Sequence, residues 1–311
     1  MDPMLARAFQ FYRNQYDYPW AVLKIAASGP ISVGAGVFIQ FYDQAPKRTD
    51  LSLDNHQSAL LAPHLAHCLI GCASAIYWGF RTFGQSDKYA RQRVQKFFHH
   101  ATNTMSAAVL ALGQAQAHCS SHRWGDAVSS VGSLKELGQL PFASKVIAFL
   151  DLENAGVYDN RINRFLLQSG LDKPMIGCPA LPVKSGGNMS YPKVAAQNSQ
   201  GVFQRWCERL QELRDQLNAI GPGCQWQCTE STPQRWRAVD VERAIFQLAK
   251  ALPPPVKIAV RRTERAVARP QGLDETTPWR DATEDPGAND VMRRLREHCE
   301  SHPSNCMDFA V

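Results

Sequence analysis

The sequence predicts a mostly α fold. Three observations lead there: apolar residues recur near every 3.6 positions through several long segments, glycine and proline punctuate between those segments, and few stretches alternate with the period of a strand. The residue string MLARAFQFYRNQY within 1–20 is helix-capable and runs into Tyr18-Pro19. Gly29-Pro30 and Gly34/Gly36 punctuate the next stretch, and the polar segment 43–55 reads as a loop. From 58 to 80, Leu60, Leu61, Leu65, Cys68, Leu69, Cys72 and Ile76 recur at helical spacing. A second long helical region covers 87–114, with Tyr89, Val94, Phe97 and Phe98 apolar and Lys88, Arg91, Arg93 and Lys96 charged. Further helices are expected over 124–137, 145–150, 160–167, 202–220 and 239–252, the last stopped by Pro253-Pro254-Pro255. Residues 172–199 carry four prolines and Gly186-Gly187 and read as a long irregular loop. Beyond 253 a basic stretch, KIAVRRTERAVARP, precedes a Pro-, Gly- and acid-rich segment expected to be flexible, with a terminal helix near 289–300. The resulting division is an N-terminal segment over 1–57 packed on the core, a core over 58–252 and an extension over 253–311.

Composition narrows the function classes. With 311 residues, 44% hydrophobic and 20% charged, the chain is long enough for one large domain or two modest ones. A net charge of +6 and a pI near 8.9 favour polyanionic partners. The nine cysteines are odd in number and scattered, unlike a secreted disulfide framework. Residues 1–30 lack the apolar core of a signal peptide, and Lys24, Pro63, His64 and His67 interrupt the apolar windows. A reduced, cytoplasmic, soluble protein without membrane association is expected. Gly34-Ala35-Gly36 is neither a dinucleotide fingerprint nor a P-loop, and no GxSxG motif occurs. Cys224-x-x-x-Cys228 has spacing that zinc permits, but no second ligand pair completes it nearby, and the cysteine spacing does not match an iron–sulfur cluster. No metal or other cofactor is expected.

The chemistry concentrates in LPFASKVIAFLDLENAGVYDNRINRFL. Residues 127–150 read as helix, tight turn, helix: Gly138 is suited to end the first helix in a left-handed conformation, Pro141 to fix the turn, and Ser144 to cap the second. Such a turn points backbone N–H groups outward and suits a phosphate. Lys145 would then stand at a helix start, against the usual dipole preference. Asp159 precedes an apolar-periodic helix containing Ile162, Phe165 and Leu166, where capping is the ordinary role of a carboxylate; the functional alternative is that it faces Lys145.

On these residues the chain resembles the helix–hairpin–helix DNA glycosylase superfamily, in particular bacterial proteins with the 8-oxoguanine DNA glycosylase fold. LPFASKV is similar to the end of the family hairpin and its lysine, and VYDNRI to the motif bearing its aspartate; IYWGFRTFG at 76–84 and WRAVDVERAIFQLA at 236–249 are similar to further pieces. The family hairpin follows Leu-Pro-Gly-x-Gly, where this chain has Leu140-Pro141-Phe142-Ala143-Ser144. The resemblance implies a helix–hairpin–helix glycosylase-like helical bundle, DNA as partner, a monomer, and Lys145 and Asp159 as the catalytic pair. Phe142, Ser144, Arg161, Arg81, Lys88 and Arg91 are the candidate DNA contacts and Trp78, Phe80 and Phe83 the candidate base pocket; against them stand pairing with Asp159 for Arg161, an equally simple solvated helix face for Arg81, Lys88 and Arg91, and core packing for the aromatics, which is the commoner role of such a run. The implied activity is excision of an oxidised purine or a hypermodified phage base, with or without strand cleavage through a lysine Schiff base, in DNA repair or anti-phage defence. The alternative is a non-catalytic DNA-binding protein of the same fold.

Overall fold

The computed structural model describes residues 1, 3–16, 20–34, 36–44, 51–61, 65–82, 87–168, 193–194, 198–220 and 235–251. Phe83, Cys224, Cys228, nearly all of the 172–199 segment and the 253–311 extension lie outside the described residues. The chain is mostly helical with a small three-stranded antiparallel sheet. No helix among the described residues is long and apolar enough to cross a membrane.

Helix α1 (Pro3–Asn14) leads into strands β1 (Trp20–Ala26), β2 (Ile31–Gly34) and β3 (Val37–Gln44). The sheet order is β1-β3-β2, with Val22 opposite Tyr42 and Ile31 opposite Ile39. This sheet was not anticipated. Ala21, Val22 and Leu23 are consecutive and all buried, so β1 lacks the alternation by which a half-exposed strand is recognised.

Helices α2 (Leu51–Leu61) and α3 (Leu65–Thr82) replace the single helix expected over 58–80, and α2 begins inside the segment expected to be a loop. Likewise α4 (Asp87–Phe98) and α5 (Met105–Ser120) divide the region expected as one helix over 87–114. Thr104 marks the division by capping α5, its hydroxyl accepting the Ala107 N–H at 3.1 Å. Helices α6 (Trp124–Gly132), α7 (Leu140–Leu150), α8 (Asn160–Gln168), α9 (Ser199–Ile220) and α10 (Ala238–Ala251) follow.

Two helices lie deepest. In α3, the residues from Cys72 to Trp78 are buried without interruption, and in α7 every residue from Leu140 to Leu150 is buried. A helix that is apolar all round must be enclosed by neighbours. Accordingly α3 is packed by β1, α2, α4, α5 and α7, while α7 is packed by α2, α3 and α6. The Leu23 N–H donates to Ser74 Oγ at 3.1 Å, fastening the sheet to α3. The N-terminal segment is joined to α10 and the residues just before it: Arg13 of α1 pairs with Asp240 of α10 at 3.0 Å inside the protein, and Phe9 meets Trp236 edge-on.

The α6–α7 connection departs from expectation in three ways. Helix α6 ends at Gly132, not near 137. The left-handed residue is Glu136, at φ 73°, not Gly138. Instead the Gly138 carbonyl accepts the Val194 N–H at 3.0 Å, and Gln139 bridges Lys193, so this backbone is engaged by another segment. Finally α7 starts at Leu140 with Pro141 in its first turn, where a missing N–H costs nothing and the ring's φ suits the helix. Ser144 is therefore inside the helix and does not cap it.

Candidate active site

Helix α7 places Lys145 in its second turn, within the interior, at 2% exposure. The helix-start position expected for Lys145 is corrected by the earlier start of α7. The lysine stem crosses α3 at Gly79: a Cβ there would lie 3.1 Å from Lys145 Cε and 3.0 Å from Phe142 Cε1, so a larger residue would press on both side chains. Lys145 Nζ donates to the Pro141 carbonyl at 2.8 Å and sits 5.3 Å from the Phe142 ring centroid and 5.9 Å from that of Trp78. Burial holds the amine below its ordinary pKa of 10.5, against the opposing pull of the Asp159 and Glu242 carboxylates.

The segment carrying Asp159 is pinned from several sides. Ser144 Oγ accepts the Tyr158 N–H at 3.1 Å and donates to the Tyr158 carbonyl at 3.3 Å. Trp206 Nε1 of α9 donates to the Val157 carbonyl at 3.1 Å, and the Tyr158 hydroxyl donates to Asn163 Oδ1 at 2.7 Å. These contacts fix Asp159 as the N-cap of α8, where its Oδ1 accepts the N–H groups of Arg161 and Ile162, each at 2.9 Å. Capping and facing Lys145 are not alternatives here. Asp159 does both, because it also lines the same cavity as the lysine.

A second carboxyl group joins the cluster. Glu242 of α10 is 2% exposed and lines the cavity with Lys145, Asp159, Tyr16, Trp78, Val157 and Phe246. Its side chain approaches Gly156 so closely that a Cβ there would lie 2.7 Å from Glu242 Cβ and 2.5 Å from Leu210 Cδ1. Burial, with the Asp159 charge added, pushes the Glu242 carboxyl up to about 8; Arg243, Lys145 and the Val157 N–H pull it the other way. Its Oε2 is buried without a hydrogen-bond partner.

Sequence reasoning quoted the α10 segment but missed Glu242, Phe246 and Tyr16. The signal was present for the first: Val239, Glu242 and Ile245 follow one another at three-residue steps, placing a carboxylate on the apolar stripe of a helix. An acid on that stripe is either buried or misassigned.

The cavity holds about 10 Å³ for a water-sized sphere, room for one water molecule. It is not open to a base in this conformation.

Other expected residues separate into groups. Trp78 lines the cavity, but Phe80 lies outside it, packed on Phe142 at 4.7 Å and Tyr89 at 5.1 Å. Phe142 and Ser144 are enclosed at 3% and 0% exposure, so the structure corrects their reading as phosphate contacts: both are spent on interior packing and on the Tyr158 backbone. Arg161 is half-buried, its guanidinium 4.9 Å from the Phe246 ring centroid, beside a cavity wall. Arg81 is half-buried at the end of α3 and Lys88 is exposed on α4. Arg91 is half-buried, pairs with Asp87 and lies 4.4 Å over Phe41. These last three do not line the cavity.

Compared with known protein families, with curated proteins and with solved structures, the chain matches none of them.

Proposed function

We propose that this protein is a DNA glycosylase of the helix–hairpin–helix type that excises a modified base, an oxidised purine or a hypermodified phage base, using Lys145 and Asp159. The observation that carries this reading is the joint burial of an amine displaced toward its neutral form and a capped carboxylate on the walls of one cavity. Neutral amines attack electron-poor carbon, and burial is the usual means of obtaining one. Lys145 attacks sugar C1′ as the bond to the base nitrogen breaks; opening of the sugar ring then leaves a Schiff base from which the strand is cleaved by β-elimination. Asp159 stabilises the positive charge that develops at C1′, as carboxylates do in glycoside hydrolysis. The target base leaves the stack, which costs a few kcal/mol, and enters against Trp78 and Phe246 once the cavity opens. Arg81, Lys88 and Arg161 supply cationic side chains for backbone phosphates. DNA is the partner, and the protein acts as a cytoplasmic monomer in repair or anti-phage defence.

The water-sized cavity and the enclosure of Phe142 and Ser144 favour a second reading, a DNA-binding protein that retains the fold without the chemistry. Borohydride trapping on a panel of duplexes bearing different modified bases separates the two. A covalent adduct in the wild type, abolished in Lys145→Gln, supports the enzyme. Asp159→Asn is expected to slow base release about 100-fold or more. Release that survives Lys145→Gln but not Asp159→Asn identifies a monofunctional enzyme. Salt-sensitive DNA binding with no release from any duplex rejects catalysis, and absence of DNA binding rejects both readings.

A further inference from the structure

Among the described residues, one amine and two carboxyl groups line one cavity, and the proposed reaction assigns work to the amine and to only one of the carboxyls. The remaining group, Glu242, differs from Asp159 in its surroundings. Asp159 accepts two backbone N–H donors on one oxygen at the N-terminus of α8. Glu242 is enclosed, and its Oε2 meets no donor. A carboxyl oxygen buried in this way is better suited to carry a proton than a charge. Burial acts in the same sense on both groups, lowering the Lys145 amine and raising the Glu242 carboxyl. Two carboxyl groups in such unlike surroundings divide into a proton donor and an electrostatic stabiliser.

Resting on the glycosylase reading, we propose that Glu242 is the general acid that protonates the departing base. As the Lys145 amine bonds to C1′, the C1′–N bond breaks and its electron pair goes to the base nitrogen. The Glu242 O–H proton moves to the base, which leaves neutral, while Glu242 becomes a carboxylate and the nitrogen joined to C1′ becomes a cation. One N–H proton then passes to O4′ as the C1′–O4′ bond opens, leaving the protonated Schiff base. No oxidant, metal or further reactant enters. Tyr16 and Phe246, in edge-on contact at 5.6 Å, line the same cavity as Glu242, so a base admitted to it lies beside this acid.

The inference separates base expulsion from amine chemistry, and an abasic site supplies the separation because it has no base to expel. The experiment uses the full chain, the duplex whose base the wild type releases, and the same duplex carrying an abasic site. In Glu242→Gln, single-turnover base release is expected to fall about 100-fold at pH 7. Adduct formation at the abasic site should stay within about threefold of wild type, which also shows that the variant is folded. Glu242→Asp, which keeps an acid, should recover part of the loss.

The pH profile gives a second readout. Among the described residues, Lys145 from α7, Asp159 before α8, Arg243 on α10 and Tyr16 after α1 are the charged or titratable groups around Glu242. Wild-type release should decline above about pH 8 as the acid is lost, and that alkaline limb should be absent in Glu242→Gln. Release by Glu242→Gln at the wild-type rate would overturn the role of Glu242 while leaving the glycosylase standing. Parallel loss of abasic-site trapping would overturn it too, placing Glu242 in support of the amine or the fold. If the wild type releases no base and traps no abasic site, the glycosylase reading itself falls and takes this role with it. A wild type that releases base without any adduct leaves the release rate and its pH profile to decide.

Discussion

Replacing Asp240 by asparagine should destabilise this protein more than almost any other single isosteric change. Asp240 is fully buried in the first turn of α10 and gathers three arginines. Its Oδ1 accepts Arg13 Nε at 3.2 Å, Arg13 Nη2 at 3.0 Å and Arg243 Nη1 at 3.5 Å. Its Oδ2 accepts Arg237 Nε at 2.8 Å and the Arg237 backbone N–H at 3.2 Å, the latter being the return half of a capping box. Asparagine keeps the volume but removes the carboxylate charge that Arg13 and Arg243 share, and these two are 4% and 0% exposed. Removing one partner from a buried ionic network costs about 3–5 kcal/mol, because the others stay desolvated and uncompensated. That is a large part of the roughly 5–15 kcal/mol by which domains are stable. Urea unfolding followed by tryptophan fluorescence measures it. Asp215, 61% exposed and paired with Arg214, is the control; Asp215→Asn should change stability by less than about 1 kcal/mol. Adding Arg13→Gln to Asp240→Asn should return part of the loss, since it removes a stranded cation. An Asp240→Asn protein within about 1 kcal/mol of wild type would refute the argument, and with it the view that this pair ties α1 to α10.

Two further outcomes follow from the packing. Gly156→Ala places a methyl group 2.5 Å from Leu210 Cδ1 and 2.7 Å from Glu242 Cβ, and should cost about 1–3 kcal/mol in urea unfolding; a loss under 0.5 kcal/mol would mean that the Gly156–α10 approach is soft. His56 stacks on Phe149 with ring centroids 4.4 Å apart, and burial holds its pKa at about 3 against an ordinary 6.5. The unfolded chain therefore takes up a proton that the folded protein refuses, so stability should fall as pH drops from 6.5 toward 3, by at most about 1.4 kcal/mol per pH unit from this residue. His56→Phe should flatten that acid limb when urea midpoints are compared between pH 4 and 6.5, and an unchanged slope would show that His56 does not cause it.

Particular residues show why the reading from sequence succeeded in some places and failed in others. Helix α9 was readable because Leu210, Leu213 and Leu217 form a single stripe with polar residues between them, and all three are buried. Helix α10 ended where its prolines begin. The start of α7 was misplaced because Pro141 was read as a turn former, although the same residue is favoured in a first helical turn, and its ring φ suits both. Once the start moved to Leu140, Ser144 and Phe142 turned inward, and two expected phosphate contacts became interior groups.

What the sequence determined by itself is therefore local: the helical character of most segments, their approximate ends, and the presence of Lys145 and Asp159 beside elements able to hold them. Periodicity and capping act over a few residues, so they are written in the chain. Only the tertiary structure decided that Lys145 is enclosed by Trp78, that its stem crosses α3 at Gly79, and that Glu242, 97 positions after Lys145, shares its cavity. Burial and charge coupling arise between elements far apart in the chain, and they set whether an amine or a carboxyl carries the proton. The chemistry of the site lies in that distribution of protons.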